Sequence, residues 1–239
     1  MSALAAILAH PAVWRGDRLG GAATPGLATG FPALDAELPG GGWPTAALTE
    51  ILPQHEGIGE LRLLGPALAG LSAQQRTLVW VAPPYVPYAP ALQAGGIDLS
   101  RLIVVKTRSP KQTLWAIEQA LRSNACGAVL AWPERIAWPE LRRLQLATEG
   151  GRALAVLFRP ARAAADASPA ALRMSLHTHA GGLAARILKR RGAVLDKPLL
   201  LPLQPVVKRN MAAPRNHVVD RPQLPAPAPR IVPAGIIPL

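Results

Sequence analysis

Cysteine occurs once in the 239 residues, as Cys126, so an internal disulfide framework is excluded and no Cys/His cluster has metal-ligand spacing. Such cysteine usage fits a reducing cytoplasm. No run of 18 uninterrupted apolar residues occurs, and the opening MSALAAILAHPAVW lacks a basic segment before its short apolar run. The expectation is therefore a cytoplasmic protein that is neither secreted nor membrane-spanning and has no membrane partner. Acidic residues are scarce, 14 against 26 basic, which leaves a formal charge of +12. This balance favours nucleic-acid or acidic-protein partners, although an arginine-rich solvated surface produces the same number. A lysine is missing where one would matter most. The stretch EILPQHEGIGELRLL, residues 50–64, has the strand–loop–helix setting of a phosphate-binding loop without its G-x-x-x-x-G-K-[ST] chemistry.

What is present is a regular alternation. Residues 1–14 have Leu4, Ile7 and Leu8 at helical spacing before Pro11, and residues 15–28 form a Gly/Ala/Pro-rich connector. Apolar runs of strand length occur at 47–52, 76–83, 101–106, 125–132 and 153–159. Helical spacing links Leu61, Leu64, Leu68 and Leu71, then Leu114, Ile117 and Leu121, then Leu141, Leu144 and Leu146 behind Pro139. Pro83, Pro84, Pro87 and Pro90 argue against a regular helix start between the second and third strands. Trp80, Trp115, Trp132 and Trp138 sit in apolar patterns and read mostly as core. No strand reads as half-exposed, so a largely parallel sheet covered on both faces is expected. Residues 171–192 alternate around Gly181 and Gly182 as a terminal hairpin. Residues 204–239 carry eight prolines, five basic residues and one acidic residue without helical period, the composition of a disordered or extended tail.

The segment TGFPALDAELPGGGWPTAALTEI, residues 29–51, resembles the approach to the nucleotide site in the RecA recombinase family. Thr29, Gly30, Leu34, Asp35, Leu38, Gly41, Gly42, Pro44, Glu50 and Ile51 match that family's pattern, and GIDLSRL and QALRSNACGAVL continue it. The resemblance implies an α/β, RecA-like (P-loop NTPase-type), mostly parallel sheet flanked by helices over residues 29–203, preceded by a helix and linker (1–28) and followed by the tail (204–239). LWAIEQALRSNACGAVLAW and ILKRRG are similar to a divergent branch, the ImuA family associated with SOS-induced translesion synthesis, with SulA, the division inhibitor, as a more distant relative. That similarity implies an accessory factor acting with an ImuB-type protein and an error-prone polymerase; RecA is a further candidate partner, and the charge balance, with its basic residues scattered, adds an expectation of weak, non-specific DNA contact.

Carried onto the family's nucleotide motif, GIGELRLL puts Glu60 at the lysine and Leu61 at the Mg²⁺-binding hydroxyl; without a gap, Gly59 and Glu60 take those places. Neither register supplies a lysine. A carboxylate about 4 Å from a phosphate repels it by roughly 4 kcal/mol at an effective dielectric near 20. The acid that orients attacking water is replaced by Pro83, and the metal-holding acid after the fourth strand by Trp132, with Glu134 two residues on. Gly57, Gly59, Glu60, Leu61, Pro83 and Trp132 thus form a degenerate nucleotide site. The expectation is a pseudo-ATPase without catalysis or cofactor, in which Glu56 or Glu60 complements the helix N-terminus. Displaced functions at Glu134 and Arg62 define the opposing reading, a DNA-stimulated ATPase.

Arg186, Lys189, Arg190 and Arg191 are the densest basic run, a candidate contact for a partner or DNA or a solvated face. Ile231, Val232, Ile236, Ile237 and Leu239 are an apolar cluster in the tail, suited to docking on a partner or folding back. His177 and His179 alternate on one strand without a third ligand, so no metal site is expected. The functional expectation is a non-catalytic adaptor in mutagenic lesion bypass, with a SulA-like division inhibitor as the rival.

Overall fold

A computed structural model describes residues 25–193, 195 and 197–203. The expected N-terminal helix at 1–14, most of the connector and the tail from 204 with its apolar cluster lie outside the described residues. The described elements are α1 (Pro32–Asp35), β1 (Leu48–Pro53), α2 (Glu60–Ala73), β2 (Thr77–Val81), α3 (Ala89–Ala94), β3 (Leu102–Val105), α4 (Pro110–Arg122), β4 (Cys126–Ala131), α5 (Trp138–Thr148), β5 (Leu154–Phe158), β6 (Leu172–His179), β7 (Gly182–Lys189) and β8 (Leu199–Pro202). Short 3₁₀ turns occupy Leu99–Arg101 and Ala161–Ala165.

The strands form a single sheet of order β3-β2-β4-β5-β1-β6-β7-β8. Pairings from β3 through β6 are parallel, and β7 and β8 add on antiparallel. Side chains alternate between two cores. Leu78, Trp80, Leu130 and Val156 face α2, whose Leu63, Leu64, Leu68 and Leu71 are buried there. Val79, Val81, Val129 and Leu157 face α4 and α5 through Leu114, Ile117, Leu121, Leu141 and Leu144. The apolar runs at β1, β2, β4 and β5 are therefore strands buried on both faces.

Local chemistry starts the helices. Ser109 accepts the amide of Gln112 at 3.3 Å and Pro110 opens α4, while Glu140 in α5 accepts the amide of Ala137 at 2.7 Å. The matched stretch 29–44 has a structural role. Asp35 accepts the Thr29 amide at 2.8 Å, Thr29 accepts the Phe31 amide at 3.0 Å, and Leu34, Leu38 and Trp43 are buried beneath them.

Several expectations change. Pro90 does not prevent a helix; it occupies the first turn of α3, where no amide partner is required. Leu146 points outward because it follows Leu144 by two residues, off the buried stripe, and Trp115 and Trp138 are exposed on their helices. The Arg142 guanidinium lies 6.0 Å over the Trp138 ring. β3 is an edge strand with Ile103 and Val104 exposed, so the strands are not uniformly covered. β8 was not anticipated; it pairs with β7 and buries Leu201.

Candidate functional site

The loop between β1 and α2 closes on itself. Gly57 and Gly59 have φ of +80° and +110°, left-handed values that turn successive amides into one concavity ahead of α2. Glu60, the first residue of α2, turns its side chain back into that concavity. Its Oε1 accepts the Gly57 amide at 2.9 Å and its Oε2 the Gly59 amide at 3.0 Å, and only 8 % of the residue is exposed. A carboxylate at a helix N-terminus is stabilised by the amides and the helix dipole as an anion would be. The anion position is thus filled from within the chain. The φ of +110° favours glycine at position 59, and Leu203, the residue after β8, packs against the loop there, its Cδ1 2.6 Å from where a Cβ would stand. Leu61, expected at a metal-binding hydroxyl position, is half-buried against the α2-side core.

The carboxyl ends of β1 to β5 surround an open cleft of about 920 Å³. Pro83 lines it after Ala82, whose φ is +52° and whose amide donates to Val105 at 2.8 Å. Trp132 forms an apolar wall in place of an acid. Its ring stacks on Phe158 at 4.7 Å and 14° and meets Trp80 at 5.9 Å. Glu134 is exposed on the same rim. Tyr85, after β2, also lines the cleft and stands exposed, and its phenol is raised above the ordinary value by a hydrogen bond to Glu56 and by that carboxylate's charge. Lys106, Arg108, Arg135 and Arg162 also line the cleft.

Beneath one end lies a polar cluster that sequence reasoning missed. Glu50, fully buried in β1, accepts from Arg159 Nη1 at 3.1 Å, Ser168 Oγ at 2.8 Å and Arg173 Nε at 2.7 Å. Arg159 also pairs with Asp166 at 3.0 Å, and Arg173 donates to the carbonyls of Ala163 and Asp166. Both Glu50 oxygens and both guanidinium groups have hydrogen-bond partners, the condition under which buried charge is tolerated. The available signal was a charged residue inside each of three apolar strand patterns, TEIL, LFR and LRMSL; Glu50 was read only as a matched position.

The basic run does not form one patch. Lys189 Nζ donates to the Ser168 carbonyl at 2.8 Å, and Arg190 pairs with Glu37 at 2.9 Å and also donates to the Glu37 backbone carbonyl. Arg186 and Arg191 remain exposed. His177 and His179 are exposed on β6, and among the described residues no group of three or more His, Cys, Asp or Glu side chains is placed to hold a metal. No helix among them is long and apolar enough to cross a membrane.

Comparison with known proteins places this geometry among two sets of relatives. The family model of the cell division inhibitor SulA matches residues 47–155. Protein ImuA of Caulobacter vibrioides is 33% identical over 144 residues, 57% of this chain and 59% of that protein. SulA of Edwardsiella piscicida is 32% identical over 98 residues, covering 41% of this chain and 58% of the relative. The crystal structure of SulA from Pseudomonas aeruginosa aligns with a TM-score of 0.41 at 27% identity, covering 49% of this chain and 99% of that one. The chain spans about three fifths of the length of these curated relatives. Its resemblance to ImuA, with SulA features, is borne out. The expected RecA-like, P-loop NTPase-type core is corrected to a SulA-type fold. The family model that matches, over residues 47–155, is SulA's. The shared pattern at 29–51 builds a short helix and a partly exposed loop over buried Leu34, Leu38 and Trp43, and then enters β1.

Proposed function

We propose that this chain is a non-catalytic accessory protein of the bacterial DNA-damage response that works by binding partners rather than by turning over a nucleotide. The observation that carries this reading is the Glu60 carboxylate bound to the amides of Gly57 and Gly59. A phosphate entering there has to displace a charge-assisted pair of hydrogen bonds and then meet the displaced carboxylate. Pro83 and Trp132 supply neither a base for water nor a metal ligand, which argues equally against a DNA-stimulated ATPase. The similarity to ImuA supports the DNA-damage setting and, through that family, an ImuB-type protein and an error-prone polymerase as partners, with RecA a further candidate, in a cytoplasmic complex.

Calorimetry with ATP and Mg²⁺ is expected to give no saturable binding and no turnover. A low-micromolar dissociation constant, about −8 kcal/mol, would overturn the non-catalytic reading. Co-purification with an ImuB-type protein and the polymerase tests the partners. The second reading, inhibition of cell division, is favoured by the SulA family match over residues 47–155. Filamentation on expression without DNA damage, together with failure to capture the polymerase proteins, would select it.

A further inference from the structure

The cleft keeps a strong chemical character after Glu60 has closed its phosphate loop. Lys106 and Arg108 follow β3, Arg135 follows β4 and Arg162 follows β5; all four are exposed and line the cleft. Among the described residues none of them enters an ion pair, whereas Arg159 at the same rim is taken up by Glu50 and Asp166. Glu134 and Glu56 line the same cleft. The cationic groups therefore outnumber the free carboxylates on a concave surface, where low-dielectric walls focus their field.

The aromatic side chains decide what kind of anion fits. Tyr85 is 69% exposed on a loop stiffened by Pro83, Pro84 and Pro87, and the half-buried Trp132, packed against Phe158 and Trp80, lines the same cleft. Aromatic rings lining a cleft beside unpaired cations suit stacking of bases with phosphates tracking the charges. In sheet order the loops after β3, β2, β4 and β5 are consecutive, so the cations span three strand spacings, roughly 14 Å at ~4.8 Å each. Reading a duplex requires a protruding helix or ribbon, whereas a concave cleft lined by loops accepts a strand whose bases are splayed. The chain's own residues 204–239, five basic and one acidic, carry the wrong sign to fill it. We infer that the cleft binds a short run of single-stranded nucleic acid, with phosphates on Lys106, Arg108, Arg135 and Arg162 and bases against Tyr85 and Trp132.

Strand capture by the cleft is separate from partner docking, and the two fail in different assays. Fluorescence anisotropy of the full chain with a labelled oligothymidylate, from 50 to 200 mM salt, reads it directly. The variant Arg108→Gln/Arg135→Gln/Arg162→Gln is expected to lower the salt slope, log affinity against log salt, by about 2, at ~0.7 per phosphate contact on a single strand. Tyr85→Ala should weaken binding about 5- to 150-fold, the loss of one stacked base, with the salt slope unchanged. Arg186→Gln/Arg191→Gln should bind as the parent does. Three results would overturn the assignment: no binding of the oligonucleotide at 50 mM salt; loss of binding only in the Arg186/Arg191 variant; or equal affinity for a polyglutamate peptide with no effect of Tyr85→Ala, which would mark an acidic-protein site. All the substituted side chains are exposed, so thermal midpoints should match the parent and separate binding from folding.

Discussion

Glu50 and Glu60 sit ten residues apart and resolve the same difficulty, a buried carboxylate, in different ways. Glu60 is satisfied locally, by two amides of its own loop, which is why helix-end chemistry anticipated it from the sequence. Glu50 is satisfied at a distance, by Arg159, Ser168 and Arg173, 109 to 123 residues away. No local pattern announces that pairing. Glu50→Gln keeps the shape but removes the charge that two buried guanidinium groups require, and breaking such a set costs about 3–5 kcal/mol. A lower urea midpoint with unchanged slope would be the signature; an unchanged midpoint would mean that the cluster is solvated. Trp132 adds a third residue-scale lesson. The RecA resemblance led to the expectation of a metal-holding acid at its position, whereas the structure makes it a wall of the cleft, stacked on Phe158 at 4.7 Å.

At the scale of elements, β6 and β7 were legible because Gly181 and Gly182 break an alternating run, whereas β8 was not. LLLP at 199–202 follows a polar stretch and has no alternation of its own, so it becomes a strand only because β7 leaves an edge to pair with. Close approach of the two backbones depends on Gly182, where a Cβ would lie 2.1 Å from the Leu201 carbonyl oxygen. Gly182→Ala therefore has to push β8 aside, at a cost of about 1–3 kcal/mol. Hydrogen exchange should report it as faster exchange confined to the β7–β8 pairing, with the β2–β4 amides unaffected. Uniform acceleration across the sheet would show that β8 is coupled to the whole fold. The exposed Trp115 and Leu146 have the same origin as the missed strand: apolar identity was legible, but the partner surface that buries or spares it was not.

For the whole molecule, the two core clusters close among described residues that end at Leu203, whose side chain packs on the α2-side core and meets Gly59. A chain truncated after Leu203 is expected to keep its thermal midpoint within a few degrees, while a chain truncated after Lys189, which loses β8 and the buried Leu201, should lose several. If the first truncation unfolds the domain, residues beyond 203 belong to the core. If it leaves the core intact yet abolishes capture of the ImuB-type protein, residues 204–239 carry partner binding. The order of residues alone shows which segments are buried, because runs such as TLVWV and CGAVLA have no other place in water, and that the loop at 50–64 carries no lysine in either register. It also carried the likeness to ImuA and SulA. Only the tertiary structure decided the mixed strand order, the pairing of Glu50 with two distant arginines, and the meeting of Lys106, Arg135, Arg162 and Tyr85 in one cleft. Those are relations between residues far apart in the chain, brought together by burial of other side chains, and no periodicity or short motif encodes them.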